Sequence, residues 1–204
     1  TAQKVYINTL GTFYIAPAHE RHSRVKIRTQ KSRELLAYLL EHRDGVSRQR
    51  IYADLWGESE ADVTRLFHTR RGEIRRAFES LGAKNPILRD NDIYKLNMDE
   101  IVCDLDIFRQ EVENFRKNPV PENAQRVVDR YTGRYLDDME ALWAESSRLQ
   151  YENDFLQAVE TLLDSYRESG ERTKTLELLR RCAYLSYRGH RLEAANDSKD
   201  KKNR

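Results

Sequence analysis

Only two cysteines, Cys103 and Cys182, occur among the 204 residues, and neither has a third or fourth metal ligand nearby. A zinc site is therefore not expected. Two thiols in a sequence without an export signal are typical of a reduced, cytoplasmic protein. The sequence also lacks any apolar run near the roughly 18 residues that span a bilayer, so we expect no membrane partner.

Patterns that support catalysis are missing as well. There is no glycine-rich phosphate loop, and no Ser-His-Asp or paired-carboxylate arrangement follows from the sequence. Ser47 precedes a helical segment and is interpreted as its N-cap rather than as a nucleophile. The five histidines show no ligand spacing: His19, His22, His42, His68 and His190. We therefore predict no catalytic residue, cofactor site or metal site, and not an enzyme.

Charge is abundant but unevenly distributed. Charged residues make up 34% of the chain and hydrophobic residues 39%, which is typical of a mostly helical protein with a modest core. The net charge is only +2, yet residues 65–76 contain five arginines against one acidic residue, Glu73. This basic stripe favours one anionic partner at one site. A solvated helix face would explain the same charges, and composition does not separate the two.

The first hundred residues combine short strands with three helices. "KVYINTLGTFYI" predicts a hairpin that turns at Gly11, and "RVKI" predicts a third strand. Cap residues and apolar spacing predict helices from Thr29 to Gly45, from Ser47 to Gly57 and from about Glu60 to Leu81. "ILRDNDIYKLN" follows as a second hairpin with its turn at "DND".

After Cys103 the pattern is helical throughout, so we expect a first domain of residues 1–102 and a helical domain of residues 103–186. The longest helix is expected to turn an apolar face inward, formed by Leu149, Leu156, Val159, Leu163 and Tyr166. Trp143 is expected to anchor the core of this domain, and Trp56 to close the core of the first. Residues 187–204 are predicted to be a disordered tail.

The segment "RLFHTRRGEIRRAF" and its flanks separate on a helical wheel into two faces. The predicted inward face is apolar and consists of Val63, Phe67, Ile74, Ala77, Phe78 and Leu81. The opposite face is polar and consists of Arg65, Thr69, Gly72 and Arg76, with His68 and Arg75 at its flanks. Because an α-helix fits the DNA major groove and arginine pairs bidentately with guanine, this face is typical of a helix that reads DNA.

Three positions of this helix leave alternatives open. Gly72 costs roughly 1 kcal/mol against alanine in a helix, so it indicates either close approach of a nucleic acid or a glycine that is simply tolerated. Arg70 and Arg71 fall nearer the apolar side of the wheel. Either they extend around its edge, or one of them pairs with an acidic residue of another element.

Two longer stretches resemble known families. "RTQKSRELLAYLLEHRDGVSRQRIYADLWG", with the arginine helix and "ILRDNDIYKL", resembles the winged-helix effector domain of OmpR/PhoB-type response regulators. The stretch with Tyr131, Gly133, Leu136 and "WAE" at 143–145 resembles the bacterial transcriptional activator domain. Together and in this order, over roughly residues 4–186, they are similar to the antibiotic-regulatory-protein class of bacterial transcription regulators.

The resemblance implies an α+β winged helix-turn-helix followed by an all-α, TPR-like helical domain. It implies a sequence-specific transcription regulator that binds double-stranded DNA, with the third helix in the major groove and the hairpin, the wing, on the flanking backbone or minor groove. The helical domain would form a homodimer or contact RNA polymerase. Carried over by position, the third-helix contacts are Arg65, Thr69, Arg70, Gly72, Glu73 and Arg75. The phosphate contacts near the second helix are Arg48 and Trp56.

The sequence departs from the family pattern in two informative places. Position 71, usually apolar in the family, is arginine. The hairpin lacks the usual Gly-x-Gly-Tyr, which leaves Arg89, Asn91 and Lys95 as its candidate contacts.

The helical module also lacks the last helical hairpin of the family pattern. An apolar stripe around Leu176, Leu179 and Tyr184 is therefore expected to be exposed, which favours self-association or partner binding. The alternative function, from a different class, is a helical-repeat interaction protein whose winged helix does not bind DNA.

Overall fold

The chain divides into two structural units. Residues 9–12 and residues 139–144 each belong to a different unit from the residues that flank them in the sequence. A computed structural model describes the backbone of residues 4–57 and 60–200 and the side chains of residues 4–57 and 63–186. The first unit consists of the chain up to Asn8, Phe13–Cys103 and Met139–Ala144. The second consists of Thr9–Thr12, Asp104–Asp138 and the chain from Glu145.

The first unit combines two small sheets with three helices. Its elements are β1 (Val5–Asn8), β2 (Tyr14–Pro17), α1 (Gln30–Glu41), β3 (Val46–Ser47), α2 (Arg48–Trp56), α3 (Glu60–Glu79), β4 (Ile87–Asp90), β5 (Ile93–Leu96) and β6 (Ile101–Cys103). β1 pairs antiparallel with β2 and parallel with β6. The second sheet has the order β3-β5-β4 and is antiparallel throughout.

The third strand of the first sheet is not the predicted one. "RVKI" forms only an isolated bridge between Val25 and Ile15. β6 takes the third place, with Val102 opposite Tyr6 in parallel register. A three-residue strand whose partner is almost a hundred positions away is too short to show a period in the sequence.

The helix starts predicted from cap residues are confirmed. The side-chain oxygens of Thr29 and Ser47 accept hydrogen bonds from the N–H groups of Ser32 and Arg50, both at 3.2 Å. These are the capping contacts that satisfy otherwise unpaired donors of a first helical turn. Gly57 follows α2 with a φ of +71°, in the left-handed region that favours glycine.

α3 has the inward face that helical periodicity predicts. All six predicted residues are buried: Val63, Phe67, Ile74, Ala77, Phe78 and Leu81. The ring of Phe67 meets those of Tyr52, Trp56 and Tyr94 edge-on, with centroids 5.4, 6.4 and 5.0 Å apart. This packing, together with that against α1, determines which face of α3 points outward.

Four helices build the second unit: α4 (Asp104–Lys117), α5 (Pro121–Arg130), α6 (Glu145–Ser169) and α7 (Arg172–Asp200). α5 packs against α4 and α6, and α7 packs against α6. α7 continues into the segment 187–204 for which disorder is predicted, because "RLEAA" consists of strong helix formers. Residues 201–204 lie outside the described residues. No helix of the described chain is long and apolar enough to cross a membrane.

The inward face of α6 agrees with the predicted one at Val159, which is buried, but differs from it at Leu149 and Leu156. Leu149 and Leu156 are 58% and 44% exposed, whereas Tyr151 and Phe155 are buried. Phe155 stacks on Tyr131 with ring centroids 4.4 Å apart. The inward face of α6 thus combines Tyr151 and Phe155 with Val159 and Leu162, and aromatic rings supply much of its buried apolar area.

Trp143 belongs to the first unit, which corrects its predicted role as an anchor of the helical domain. Its indole Nε1 donates to Glu34 Oε1 at 3.3 Å, and its ring meets that of Tyr38 edge-on at 5.2 Å. Helical periodicity identifies a buried face but carries no information about the partner that covers it.

The apolar stripe predicted on α7 is confirmed as exposed. The exposed fractions are 54% for Leu176, 47% for Leu179 and 58% for Tyr184. Three large apolar side chains on one helix are unusual on a surface without a binding partner.

The carboxylate of Asp104, at the start of α4, holds the segment 9–12 in the second unit. It accepts hydrogen bonds from Thr9 N, Thr9 Oγ1 and Leu10 N at 2.9, 2.8 and 2.9 Å. Gly133 approaches the same segment so closely that a Cβ there would lie 2.7 Å from the Cα of Gly11. The glycine of "YTG" is thus required by contact between two backbones.

We expect Asp104→Ala to destabilise the protein by about 3 kcal/mol or more, because buried donors left without an acceptor cost roughly 1–3 kcal/mol each. Urea unfolding measures the change. The control is Arg109→Ala, an exposed residue of the same helix, which should cost less than about 0.5 kcal/mol. Equal effects of the two substitutions would contradict the role given to the Asp104 carboxylate.

Candidate nucleic-acid interface

The outward face of α3 is cationic and accessible. Arg65, Thr69 and Arg76 are exposed, and Gly72 between them is partly exposed. The Thr69 hydroxyl donates to the carbonyl oxygen of Arg65 at 3.0 Å, so its oxygen can still accept a hydrogen bond. A Cβ at Gly72 would meet nothing closer than Arg76 Nη1, at 3.9 Å. Packing within the described residues therefore does not require a glycine here.

Glu73, one of the predicted third-helix contacts, points inward instead. Its side chain is 4% exposed, and its carboxylate accepts hydrogen bonds from the hydroxyls of Thr29, at 2.8 Å, and Ser32. Arg70 Nη1 donates to Glu73 Oε1 at 3.0 Å and to the Thr29 hydroxyl at 3.3 Å. Because these bonds occupy the carboxylate in the interior, the predicted outward contact at Glu73 is corrected.

Arg70 meets neither of the two alternatives in full. Arg70 pairs with an acidic residue, but one of its own helix, three positions further on. Its side chain is 21% exposed and lies at the edge of the buried face, as the wheel indicates. The family-derived expectation that Arg70 contacts DNA is thus in conflict with its engagement by Glu73.

The hydrogen bonds at Glu73 keep it ionised. Burial raises the pKa of Glu73, but the hydrogen bonds from Ser32, Thr29 and Arg70, with the charge of Arg70, outweigh burial and lower the pKa below its ordinary value. At neutral pH the carboxylate therefore compensates the charge of Arg70 in a place that solvent barely reaches.

Three elements bring arginines together around His68. Arg48 begins α2, Arg71 lies on α3 and Arg89 lies on β4. Partial burial is the main reason that the pKa of His68 lies below its ordinary value, and the charges of Arg71, Arg89 and Arg48 lower it further. His68 is therefore neutral at physiological pH, and the positive charge of this cluster comes from its arginines.

Aromatic rings support two of these arginines. The guanidinium carbon of Arg71 lies 4.8 Å from the ring centre of Tyr94 and 5.6 Å from that of Phe67. The guanidinium carbon of Arg89 lies 5.7 Å from the Tyr94 ring centre. Such cation–π contacts contribute about 0.5–1 kcal/mol at exposed sites. An arginine thus fits at position 71 because it covers an aromatic cluster.

The β4–β5 hairpin is fastened to the start of α2. The backbone N–H of Arg48 donates to Asp92 O at 2.8 Å, and the two side chains form a salt bridge of 3.4 Å. Asn91 turns the hairpin with a φ of +52°, and its carbonyl oxygen accepts a hydrogen bond of 2.7 Å from Arg89 Nε. Lys95 is exposed on β5. The three predicted hairpin contacts therefore belong to the same surface element that Arg48 joins to α2.

A groove of about 280 Å³ separates α3 from the chain that leads into β4. It is lined by His68, Arg71, Gly72 and Arg75 on the side of α3 and by Asn85, Pro86 and Ile87 on the other. Arg75 forms an exposed salt bridge of 3.5 Å with Glu79, and such surface pairs contribute little to stability. An anion could therefore displace Glu79 from Arg75 at small cost.

The structure brings Arg48, His68 and Arg89 together with Arg71, whose role the sequence leaves undecided. The sequence signal for Arg71 is Phe67 four positions earlier, since residues at that spacing are neighbours on a helix.

Trp56 is half-buried, with Lys31 Nζ 5.8 Å from its ring centre. Among the described residues, no group of His, Cys, Asp and Glu side chains could hold a metal ion. The arrangement suits an extended anion, which hydrogen bonds and charge would hold.

The sequence matches no family model and no curated protein. Among solved structures, the fold is similar to that of Mycobacterium tuberculosis EmbR in complex with a low affinity phosphopeptide, with a TM-score of 0.69 and 17% identity. The match covers 89% of this chain and 50% of that one, so the chain spans about half the length of EmbR. At this identity the likeness establishes the fold, mixed α+β with a helical C-terminal part, and not the partner.

We expect Glu73→Gln to destabilise the protein at pH 7 by about 1–3 kcal/mol, because the amide cannot satisfy the same donors. The pKa of Glu73 is depressed in the folded protein, so its stabilising contribution is present above the unfolded pKa of about 4.3. It is lost as the pH falls through the folded-state pKa, and the difference between the two proteins should shrink there. Urea unfolding at a series of pH values measures this.

Glu79→Gln, on the exposed side of the same helix, is the matched control and should change stability little at any pH. A destabilisation by Glu73→Gln that is constant down to acidic pH would contradict an ionised Glu73 in the folded protein.

Proposed function

We propose that the chain is a transcription regulator that binds double-stranded DNA with sequence specificity, through the first unit as a winged helix-turn-helix domain. In this proposal α3 lies in the major groove and the β4–β5 hairpin is the wing, on the flanking backbone or minor groove. The observation that carries the proposal is that Arg71 of α3 and Arg89 of β4 meet over the Tyr94 ring, with His68 3.3 Å from Arg71. The charge of Arg48 acts on the same histidine. Like charges repel, so arginines gathered from three elements are typical of a site for a polyanion.

The outward face of α3 supplies the residues that would contact bases. Arg65, Thr69, Gly72 and Arg76 follow one another at spacings of four, three and four, which keeps them on one side of a helix. Arginine pairs with guanine, and threonine contacts a thymine methyl group or a base edge. His68, neutral at the flank of this face, accepts a hydrogen bond of 3.3 Å from Arg71 Nη1 through Nδ1 and offers its Nε2–H as a donor.

Gly72 supports the same orientation of α3. It costs roughly 1 kcal/mol against alanine in a helix, and the surrounding side chains leave room for a Cβ. An external surface that approaches the helix closely accounts for a glycine that internal packing does not require.

The remaining predicted residues divide into phosphate contacts and supports. Phosphate contacts fix the position of a protein on the duplex without reading its sequence. We assign this role to Arg48, Trp56, Arg75, Arg89, Asn91 and Lys95. Arg70 and Glu73 act by holding α3 on α1, not by touching DNA.

The second unit is proposed to be a TPR-like helical domain of the bacterial transcriptional activator type. The exposed stripe of Leu176, Leu179 and Tyr184 on α7 favours self-association as a homodimer, and RNA polymerase is the second candidate partner. A homodimer would place two copies of α3 on one duplex and double the length of the recognised site.

A protein-interaction module is the second candidate function. The exposed leucines of the second unit, Leu149 and Leu156, and Leu142 of the first unit, which is 92% exposed, favour a protein partner. Selection from a random duplex library, followed by titration at several salt concentrations, separates the two functions. A regulator enriches one sequence and binds it more weakly as salt rises, because neutralised phosphates release counterions. An interaction module enriches none.

Arg65→Ala and Arg48→Ala should weaken DNA binding in different ways. Arg65→Ala should cost about 1–3 kcal/mol on the selected duplex and relax the preference at one or two base pairs, because it removes a base contact. Arg48→Ala should weaken the selected and a scrambled duplex equally and lower the salt slope by about one unit, because it removes a phosphate contact. Titrations of both variants on both duplexes at several salt concentrations measure this.

If Arg65→Ala weakens both duplexes equally, Arg65 holds phosphate and α3 is not the reading helix. If neither substitution changes duplex binding, the interaction module becomes the better function.

Leu176→Glu combined with Leu179→Glu should abolish self-association of the second unit, since two charges would be buried in its apolar contact. Sedimentation velocity at increasing protein concentration measures the oligomeric state. The control is Leu142→Glu, which places a charge on a leucine of the first unit that is 92% exposed. It should leave the self-association through α7 unchanged. A wild-type protein that stays monomeric at high concentration would rule out the homodimer.

A further inference from the structure

A second basic segment lies outside α3 and is more concentrated in charge. Residues 21–33 contain six lysines and arginines and no aspartate or glutamate. Four of the six are exposed: Arg21, Arg24, Lys26 and Arg28. They precede α1 and follow β2, so they belong to the first unit but to none of the elements that form the α3 interface.

Tyrosine rings hold two of these arginines in place. The guanidinium carbon of Arg21 lies 4.6 Å from the ring centre of Tyr6, and that of Arg24 lies 4.1 Å from the ring centre of Tyr14. The register of β1 and β2 places both tyrosines on one face of the sheet, and their rings meet edge-on at 6.1 Å. The two guanidinium groups are therefore fixed side by side on this face.

The segment continues as a groove of about 400 Å³ that ends at the start of α1. Its lining includes Arg24, Lys26, Arg28 and Arg33. Arg33 donates to Phe13 O at 2.7 Å and to Gln30 Oε1 at 2.6 Å, which fixes its guanidinium at the wall of the groove.

Acidic side chains do not neutralise this surface. Within residues 4–57 and 63–186, no salt bridge includes Arg21, Arg24, Lys26 or Arg28. Four cations held near one another without carboxylates repel each other, so an external anion would be bound favourably.

The side chains around these cations favour nucleic acid over a protein partner. Protein interfaces depend on a few buried aromatic or aliphatic anchors, whereas nucleic-acid interfaces are more polar and far more positively charged. Among the described residues, no large apolar side chain before Ile93 is exposed. The tyrosine rings, which could serve as anchors, are covered by Arg21 and Arg24.

We propose that Arg21, Arg24, Lys26 and Arg28 form a second phosphate-binding surface, which contacts the backbone of duplex DNA beyond the segment that α3 reads and has no sequence preference. The inference takes its duplex partner from the proposed function but does not depend on α3 as the reading helix. The hydroxyl of Thr29, the residue after Arg28, donates to Glu73 on the inward face of α3, so this end of the surface lies about one helix diameter, roughly 10 Å, from the outward face of α3. Flanking phosphates of one duplex could therefore reach it.

The test compares two triple variants with equal changes of charge. Arg21→Gln, Arg24→Gln and Arg28→Gln remove the proposed contacts, and Arg109→Gln, Arg126→Gln and Arg130→Gln remove three exposed arginines of the second unit. Salt titrations use a long duplex centred on the selected sequence, a duplex shortened to that sequence and a long scrambled duplex. If no sequence is selected, random long and short duplexes replace them.

On both long duplexes the first variant should lower the salt slope by about 2–3 units, because each lost phosphate contact contributes about 0.9. The ratio of affinities for the selected and scrambled long duplexes should stay within about twofold, since phosphate contacts carry no direct sequence information. The slope on the short duplex, and all slopes of the control variant, should stay as in the wild type.

Thermal unfolding checks that both triple variants are folded. Lys26→Glu, a single exposed change, is the second variant and should lower the slope by about 1–2 units on the long duplexes. It keeps the proposal testable if the triple variant does not fold.

Unchanged slopes for the first variant and for Lys26→Glu on the long duplexes would overturn the proposal. A loss of sequence preference in the first variant would also overturn it, because these residues would then contact bases. An equal decrease of the salt slope on the short duplex would overturn it too, because the contacts would then lie within the segment that α3 reads. Polyglutamate serves as a probe for an acidic protein partner. If the first variant loses polyglutamate binding while its duplex binding is unchanged, the partner is an acidic protein and the proposal is overturned. Failure of the proposed function looks different: no sequence is selected and Arg65→Ala has no effect, whereas the slopes of the basic-surface variants still report on this surface.

Discussion

The orientation of α3 depends on one buried carboxylate, that of Glu73. A charge in a place that solvent barely reaches is costly unless hydrogen bonds and a counter-charge compensate it. Here the compensation comes from the first turn of α1, through Thr29 and Ser32, and from Arg70 on α3 itself. Because this carboxylate binds the capping hydroxyl of α1, it adds a polar contact to the apolar packing that sets the rotation of α3 about its own axis. That rotation determines which side chains face outward.

The five arginines of α3 are consequently not equivalent. Arg70 is engaged by Glu73, and Arg71 lies over aromatic rings beside Arg89. Arg75 forms a weak exposed pair, so Arg65 and Arg76 are the two that the outward face presents without a salt bridge among the described residues. The charge count of the segment is therefore a poor measure of its capacity to contact bases. The same count also overstates the field around the helix, because Glu73 compensates the charge of Arg70.

Periodicity and capping chemistry could be predicted from the sequence, since both are local. The buried face of α3 and the caps at Thr29 and Ser47 follow from spacing and side-chain chemistry alone. Contacts between distant segments could not be predicted. From its charge alone, Glu73 is expected to face outward. Its contact with the first turn of α1, a distant segment of the chain, holds it inward. Leu149 and Trp143 show the same limit, because a helical pattern does not identify the partner that covers a face.

Tyrosine rings hold cations at both basic surfaces of the first unit. Arg71 and Arg89 lie over Tyr94, Arg21 lies over Tyr6, and Arg24 lies over Tyr14. An arginine held by a buried carboxylate, as Arg70 is by Glu73, must give up that partner before it binds a phosphate, and the exchange cancels much of the gain. An arginine stacked on a ring keeps the N–H donors at its edge, so a phosphate adds to the existing contact. Stacking thus restricts the side chain before binding without consuming its charge.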